Sequence, residues 1–122
     1  MNCIFCKIIK GEIPSYTIFE DDIVKVFLDI NPNSNGHCLI IPKKHYLDLE
    51  EIDNKTLMHI MDTARHIKKL LEKKLNIDGI TLIQNNGDVQ EVKHYHLHLK
   101  PYYKEKQELK DVKEIYNKIK NS

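Results

Sequence analysis

The chain has 122 residues, 41% hydrophobic and 30% charged, with 19 Lys plus Arg against 18 Asp plus Glu. That length supports one domain with a core of its own, and a net charge of +1 excludes the polyelectrolyte attraction on which nucleic-acid binding rests. No apolar run is long enough to span a membrane and the start, Met1-Asn2-Cys3, lacks a secretory pattern, so the expected compartment is the cytoplasm.

Cys3 to Lys10 carries apolar side chains at Ile4, Phe5, Ile8 and Ile9, the spacing of a short helix that Gly11 and Pro14 end. Within it Cys3 and Cys6 form C-x-x-C, which in a reducing compartment points to metal or redox chemistry rather than a structural disulfide. Tyr16 to Phe19 and Ile23 to Leu28 are β-branched and aromatic runs separated by Glu20-Asp21-Asp22, a hairpin pattern. Asn31 to Gly36 reads as a loop. His37 to Ile41, closed by Pro42, is a third strand with His37, Leu39 and Ile41 on one face and Cys38 and Ile40 on the other, which makes Cys38 a core residue.

From an Asp53 N-cap, the positions Leu57, Ile60, Met61, Ala64, Ile67, Leu71 and Leu75 repeat at three and four residues and predict one long amphipathic helix ending near Asn76 to Gly79. Its His59 and His66 share a face and read as surface or interface residues, and Lys68, Lys69, Lys73 and Lys74 as a solvated face. Ile80 to Gln84 is a strand, Asn85-Asn86-Gly87-Asp88 a tight turn, and Val89 to Leu99 the partner strand of an antiparallel hairpin. Lys104 to Lys120, with Leu109, Val112, Tyr116 and Ile119 in register, predicts a C-terminal amphipathic helix. The sum is a single α+β domain over residues 1–122, with its core in 3–103 and an antiparallel sheet of about five strands.

Three of the seven His fall in the five residues His94-Tyr95-His96-Leu97-His98. Along a strand, His94, His96 and His98 share one face, with rungs about 7 Å apart, so adjacent rings can act on one ligand. One such His is more often a packing residue, and H-x-H also serves as a pair of metal ligands. Three in alternation are poorly explained by packing, because each ring needs a partner for its second nitrogen where Val or Ile would not.

The run His94 to Leu99, preceded by Asn85-Asn86-Gly87 and Gln90-Glu91-Val92, resembles the histidine triad (HIT) family of nucleotide hydrolases and transferases. Cys3 to Ile9 with Gly11-Glu12-Ile13-Pro14, Phe27 to Pro32, and Gly36 to His45 resemble three further ordered motifs of that family, in its zinc-bearing bacterial-type branch. The resemblance implies attack on the α-phosphorus of nucleoside phosphoramidates or dinucleoside polyphosphates through a nucleotidyl-histidine intermediate. It assigns His96 as nucleophile, with His98 and His37 completing the catalytic set. Asn85 and Gln90 would approach the phosphate, Asp29 would accept the ribose hydroxyls, and Ile4, Phe5, Ile8, Phe27 and Ile30 would wall a purine pocket.

The same resemblance implies a closed, structural Zn²⁺ site from Cys3, Cys6, His45 and His94, and a homodimer. Two other readings stay open: a catalytically weak nucleotide-binding module, and a metalloenzyme that uses triad His as ligands. The chain also departs from the family pattern. The segment between Gly87 and Gln90 is two residues shorter than is usual, Glu91 stands where a small hydroxyl residue is common, and Lys100 replaces an apolar residue after the triad.

Overall fold

A computed structural model describes residues 3–121. Helix α1 (Ile4–Ile9) leads into strands β1 (Thr17–Glu20), β2 (Val24–Leu28) and β3 (Cys38–Pro42), followed by the long helix α2 (Asn54–Leu75). Strands β4 (Gly79–Gln84) and β5 (Leu97–Tyr102) and helix α3 (Val112–Lys120) complete the chain. The five strands form one sheet in the order β1-β2-β3-β5-β4, with every neighbouring pair antiparallel. The expected α+β class and five-stranded antiparallel sheet are thus both present. No helix among the described residues is long and apolar enough to cross a membrane.

Strand alternation gives the sheet two different faces. Val24, Val26 and Leu28 of β2 and Cys38 and Ile40 of β3 point to one side, where Ile60, Ala64, Ile67 and Leu71 of α2 and Ile115 and Ile119 of α3 cover them. Phe27, Leu39 and Ile41 point to the other side and meet Cys3, Phe5 and Ile8 of the α1 segment. The second layer is thin, because a six-residue helix covers only part of the sheet, and the uncovered part is where a site can form.

Helix α2 starts where Asp53 Oδ1 accepts the Thr56 N–H at 2.8 Å, and it ends at Asn76, whose φ of 54° suits a left-handed cap. Gly36 sits where glycine is favoured. Its φ is +94°, and a Cβ there would lie 2.6 Å from Leu75 Cδ1 and 3.2 Å from Pro101 Cγ. The loop before β3 therefore packs directly on the ends of α2 and β5, which fixes the position of His37.

Two expectations need correction. The β4–β5 connection is not a tight turn, since Gln84 pairs with Leu97 and the twelve residues between them form a 3-10 turn at Gly87–Val89 and an irregular segment. That segment bonds instead to the loop after β3: Tyr95 N–H donates to Tyr46 O at 2.7 Å, Gln90 Nε2 to Leu47 O at 2.7 Å, and Leu49 N–H to Asn86 Oδ1 at 2.9 Å. The C-terminal helix is also shorter than the 104–120 expected. Asn35 accepts the Lys110 N–H and donates to the Glu108 carbonyl, each at 2.9 Å, taking groups that a helix would pair internally, so α3 begins only after the Asp111 cap.

Candidate active site and metal cluster

A cavity of about 480 Å³ opens on the α1 side of the sheet. Of the expected site residues, Phe5, Ile8, Phe27, Asp29, Asn85, His37, His96 and His98 line it, and Ile4 and Ile30 form its exposed rim at 47% and 72% exposure. Leu39, Val92, Glu91 and Lys100 line it as well. Gln90 does not. It is buried behind the wall with Nε2 on the Leu47 carbonyl, and its Oε1 has no partner among the described residues.

Although β5 begins only at Leu97, the alternation expected for the triad persists. Tyr95, Leu97 and Leu99 enter the main core, while His96 and His98 face the cavity with ring centroids 5.0 Å apart. Phe5 packs edge-on against His96 at 5.0 Å and against His94 at 5.9 Å.

Backbone partners set the tautomers. His96 Nδ1 lies 2.7 Å from the His94 carbonyl, which can only accept, so Nδ1 carries the hydrogen and Nε2 keeps a lone pair. At His37 the roles invert: the Asn33 N–H donates to Nδ1 at 3.0 Å, so the ring hydrogen stands on Nε2. That Nε2–H donates to His98 Nδ1 at 3.0 Å, which leaves His98 with its N–H at Nε2. The cavity therefore holds a ring with a lone pair beside a ring with a donor.

Electrostatics keep these rings neutral. Burial is the largest influence on each; it lowers His37 and His96 and, with neighbouring His96, His37 and Lys100, pushes His98 down to about 4. Asp29 opposes the shift at all three, and its Oδ2 stands 3.5 Å from His37 Nε2 while Oδ1 accepts the Asn31 N–H at 2.8 Å. Glu91 acts on His96, and Lys100 on His37 and His98.

Beneath the triad, Cys3, Cys6, His45 and His94 gather with one donor atom each, all within 4.8 Å of one another. His94 Nε2–H is held by the Pro42 carbonyl at 2.9 Å, which turns the Nδ1 lone pair toward the cluster. From Nδ1, Cys3 Sγ is 3.3 Å away, Cys6 Sγ 3.6 Å and His45 Nδ1 3.1 Å. Tetrahedral zinc bonds of about 2.0–2.3 Å require donor separations of about 3.3–3.8 Å, so the set needs only small adjustment to close on such an ion. Burial and the adjacent Cys3 push the Cys6 thiol up to about 11, and a divalent cation is the charge that would hold a thiolate pair there.

Glu91 and Lys100, which in the sequence stand out only as departures from a pattern, are both in the cavity wall. The Asn33 N–H and the Pro42 and His94 carbonyls, which fix three of the rings, go beyond the motif pattern. Backbone groups carry no sequence signal beyond the Pro that ends β3.

Comparisons with known proteins identify the family and the fold. The sequence profile of the HIT domain matches residues 10–105. An uncharacterised HIT-like protein of Methanocaldococcus jannaschii is 44% identical over 119 residues, 94% of this chain and 90% of that protein. The adenosine 5′-monophosphoramidase of Saccharomyces cerevisiae is 46% identical over 106 residues, 85% of this chain and 65% of the yeast protein. Among solved structures, a zinc-bound histidine triad family protein from Mycobacterium smegmatis superposes with a TM-score of 0.90 at 31% identity, covering 98% of this chain and 91% of that one.

Proposed function

This chain belongs to the HIT domain family, and on that premise we propose that it is a nucleotide hydrolase whose nucleophile is His96. Its substrates are purine nucleoside phosphoramidates or dinucleoside polyphosphates. The observation that carries the reading is the His96 ring: Nδ1–H is tied to the His94 carbonyl at 2.7 Å, so a buried, neutral imidazole offers its Nε2 lone pair in the cavity. That nitrogen bonds to the α-phosphorus, and the amine or phosphate leaving group departs with the electron pair of its bond to phosphorus and takes up a proton from water. His98 Nε2–H lies beside it as a hydrogen-bond donor to the leaving atom or a non-bridging oxygen. Water then opens the phosphorus–nitrogen bond, releasing a nucleoside monophosphate and restoring His96.

Asp29 supplies a carboxylate suited to two ribose hydroxyls, and Phe5, Ile8 and Phe27 supply the apolar wall for the base. Cys3, Cys6, His45 and His94 would hold Zn²⁺ with four protein donors, which leaves no position for an activated water and gives the ion a structural role. The family resemblance further supports a cytoplasmic homodimer, for which β4, an edge strand of the sheet among the described residues, would be a pairing surface.

The test is to incubate the protein with an adenosine phosphoramidate and a diadenosine polyphosphate, quench, and search by mass spectrometry for acid-sensitive adenylylation of the peptide containing His96. His96→Ala is expected to abolish turnover and labelling while AMP still binds; turnover near the wild-type rate in that variant sinks the proposal. A second reading, a nucleotide-binding module with little turnover, is favoured by the placement of Gln90 behind the wall and of the Glu91 carboxylate in it. Tight AMP binding without product release from either substrate would select it.

A further inference from the structure

Lys100 and Glu91 are charged side chains in the cavity wall to which the His96 chemistry gives no task, and they serve different ends of the site. Lys100 follows His98 by two residues on β5, so both project from the same face of the sheet. The β3–β5 ladder pairs Leu39 with His98 and Cys38 with Leu99, so His37 stands opposite Lys100 one step further, with Thr81 of β4 paired on the other side. The influence of the two charges follows that layout: the ammonium lowers His37 and His98, whereas Glu91 acts on His96. Lys100 is half-buried, and no carboxylate forms an ion pair with it among the described residues. A cation partly withdrawn from water and held in no ion pair gains more from a bound anion than one in open solvent does.

We propose that Lys100 is a specificity-determining residue that receives a second anionic group, a phosphate, of the nucleotide whose α-phosphorus meets His96. The proposal rests on the nucleotide reading above and deepens it. Glu91 discourages a further anion at the His96 end, whereas Asp29, the carboxylate beside His37, is the one the ribose hydroxyls would occupy. A phosphoramidate with a neutral amine gains nothing from this arrangement. The second phosphate has two chemical sources, the next unit of a polyphosphate chain or a phosphate on the ribose, whose hydroxyls fall to Asp29 beside His37.

Calorimetric titration of the full chain, Lys100→Leu and Lys100→Arg with AMP, ADP and an adenosine bisphosphate carrying its second phosphate on the ribose tests the proposal. The unmodified chain is expected to bind ADP or the bisphosphate roughly tenfold more tightly than AMP, the worth of one charge-assisted hydrogen bond. Lys100→Leu should erase that advantage while shifting AMP by less than about threefold, and Lys100→Arg should keep it. An advantage for ADP assigns the polyphosphate chain; one for the bisphosphate assigns the ribose. Equal weakening of all three ligands in a Lys100→Leu protein with unchanged melting temperature, or no weakening, overturns the role of Lys100 alone. Failure of AMP to bind the unmodified chain overturns the nucleotide reading, and this proposal with it.

Discussion

At the scale of single residues, the site works by pairing each imidazole with a partner that dictates its hydrogen. His37 is clamped by the Asn33 N–H, and its own Nε2–H then fixes His98, so two rings share one defined tautomer chain. The arrangement is neutral, because burial lowers both rings and brings His98 to about 4. The consequence for stability has a definite sign. Between the ordinary histidine pKa of about 6.5 and the lowered folded value, the unfolded chain binds protons that the folded chain does not, so stability falls as pH drops through that window. Thermal melts from pH 7 to pH 4 should show the melting temperature declining. In His98→Asn the decline should be shallower, since one depressed imidazole is removed; an unchanged slope in that variant would show that His98 contributes nothing to the linkage.

At the scale of elements, the loop ending at Gly36 sets His37 against β5, and its tolerance is testable. Gly36→Ala combines a positive φ with a Cβ driven onto Leu75 and Pro101, and chemical denaturation should register a loss of about 1–3 kcal/mol. Gly11→Ala is the matched control, because Gly11 also has a positive φ, +82°, but nothing within 4 Å of its added Cβ. A larger loss at Gly36 than at Gly11 isolates the crowding, and equal losses would assign the whole effect to the backbone. Elements whose bonds are local or whose apolar period is long were legible in the sequence: α2 with its Asp53 cap, the β1–β2 hairpin, and the two faces of β3. Val89 to His96 was misread as strand because alternation reports which side a residue faces, whereas pairing depends on a remote competitor, here the Tyr46 carbonyl that takes the Tyr95 N–H. The same physics hid the place of Gln90, captured by the Leu47 carbonyl, and shortened α3, where Asn35 intercepts the backbone of Glu108 and Lys110. The triad's common face survived all of this, since it needs only extended chain.

At the scale of the whole molecule, the four-donor cluster and the cavity are one construction, joined through α1. Six residues are too few for a helix to persist unaided, so α1 depends on what holds it to the sheet: Phe5 and Ile8 against Phe27, Leu39 and Ile41, and the Cys3 and Cys6 thiols against His45 and His94. The same helix presents Phe5 edge-on to His96 and contributes Ile4 and Ile8 to the cavity wall. An ion bound by Cys3, Cys6, His45 and His94 would thus secure one wall of the cavity without lining it. Elemental analysis of protein purified without affinity tags that bind metal is expected to find one zinc per chain. Stripping it with a strong chelator, or replacing its ligand in Cys6→Ser, should lower the melting temperature and weaken AMP binding together, because loosening α1 removes a wall of the cavity. His96→Ala separates the two effects, since it removes the proposed nucleophile while leaving all four donors in place and is expected to keep any zinc bound there. If chelation leaves both the melting temperature and AMP affinity unchanged, α1 is held by its apolar contacts alone and the cluster has no part in shaping the site.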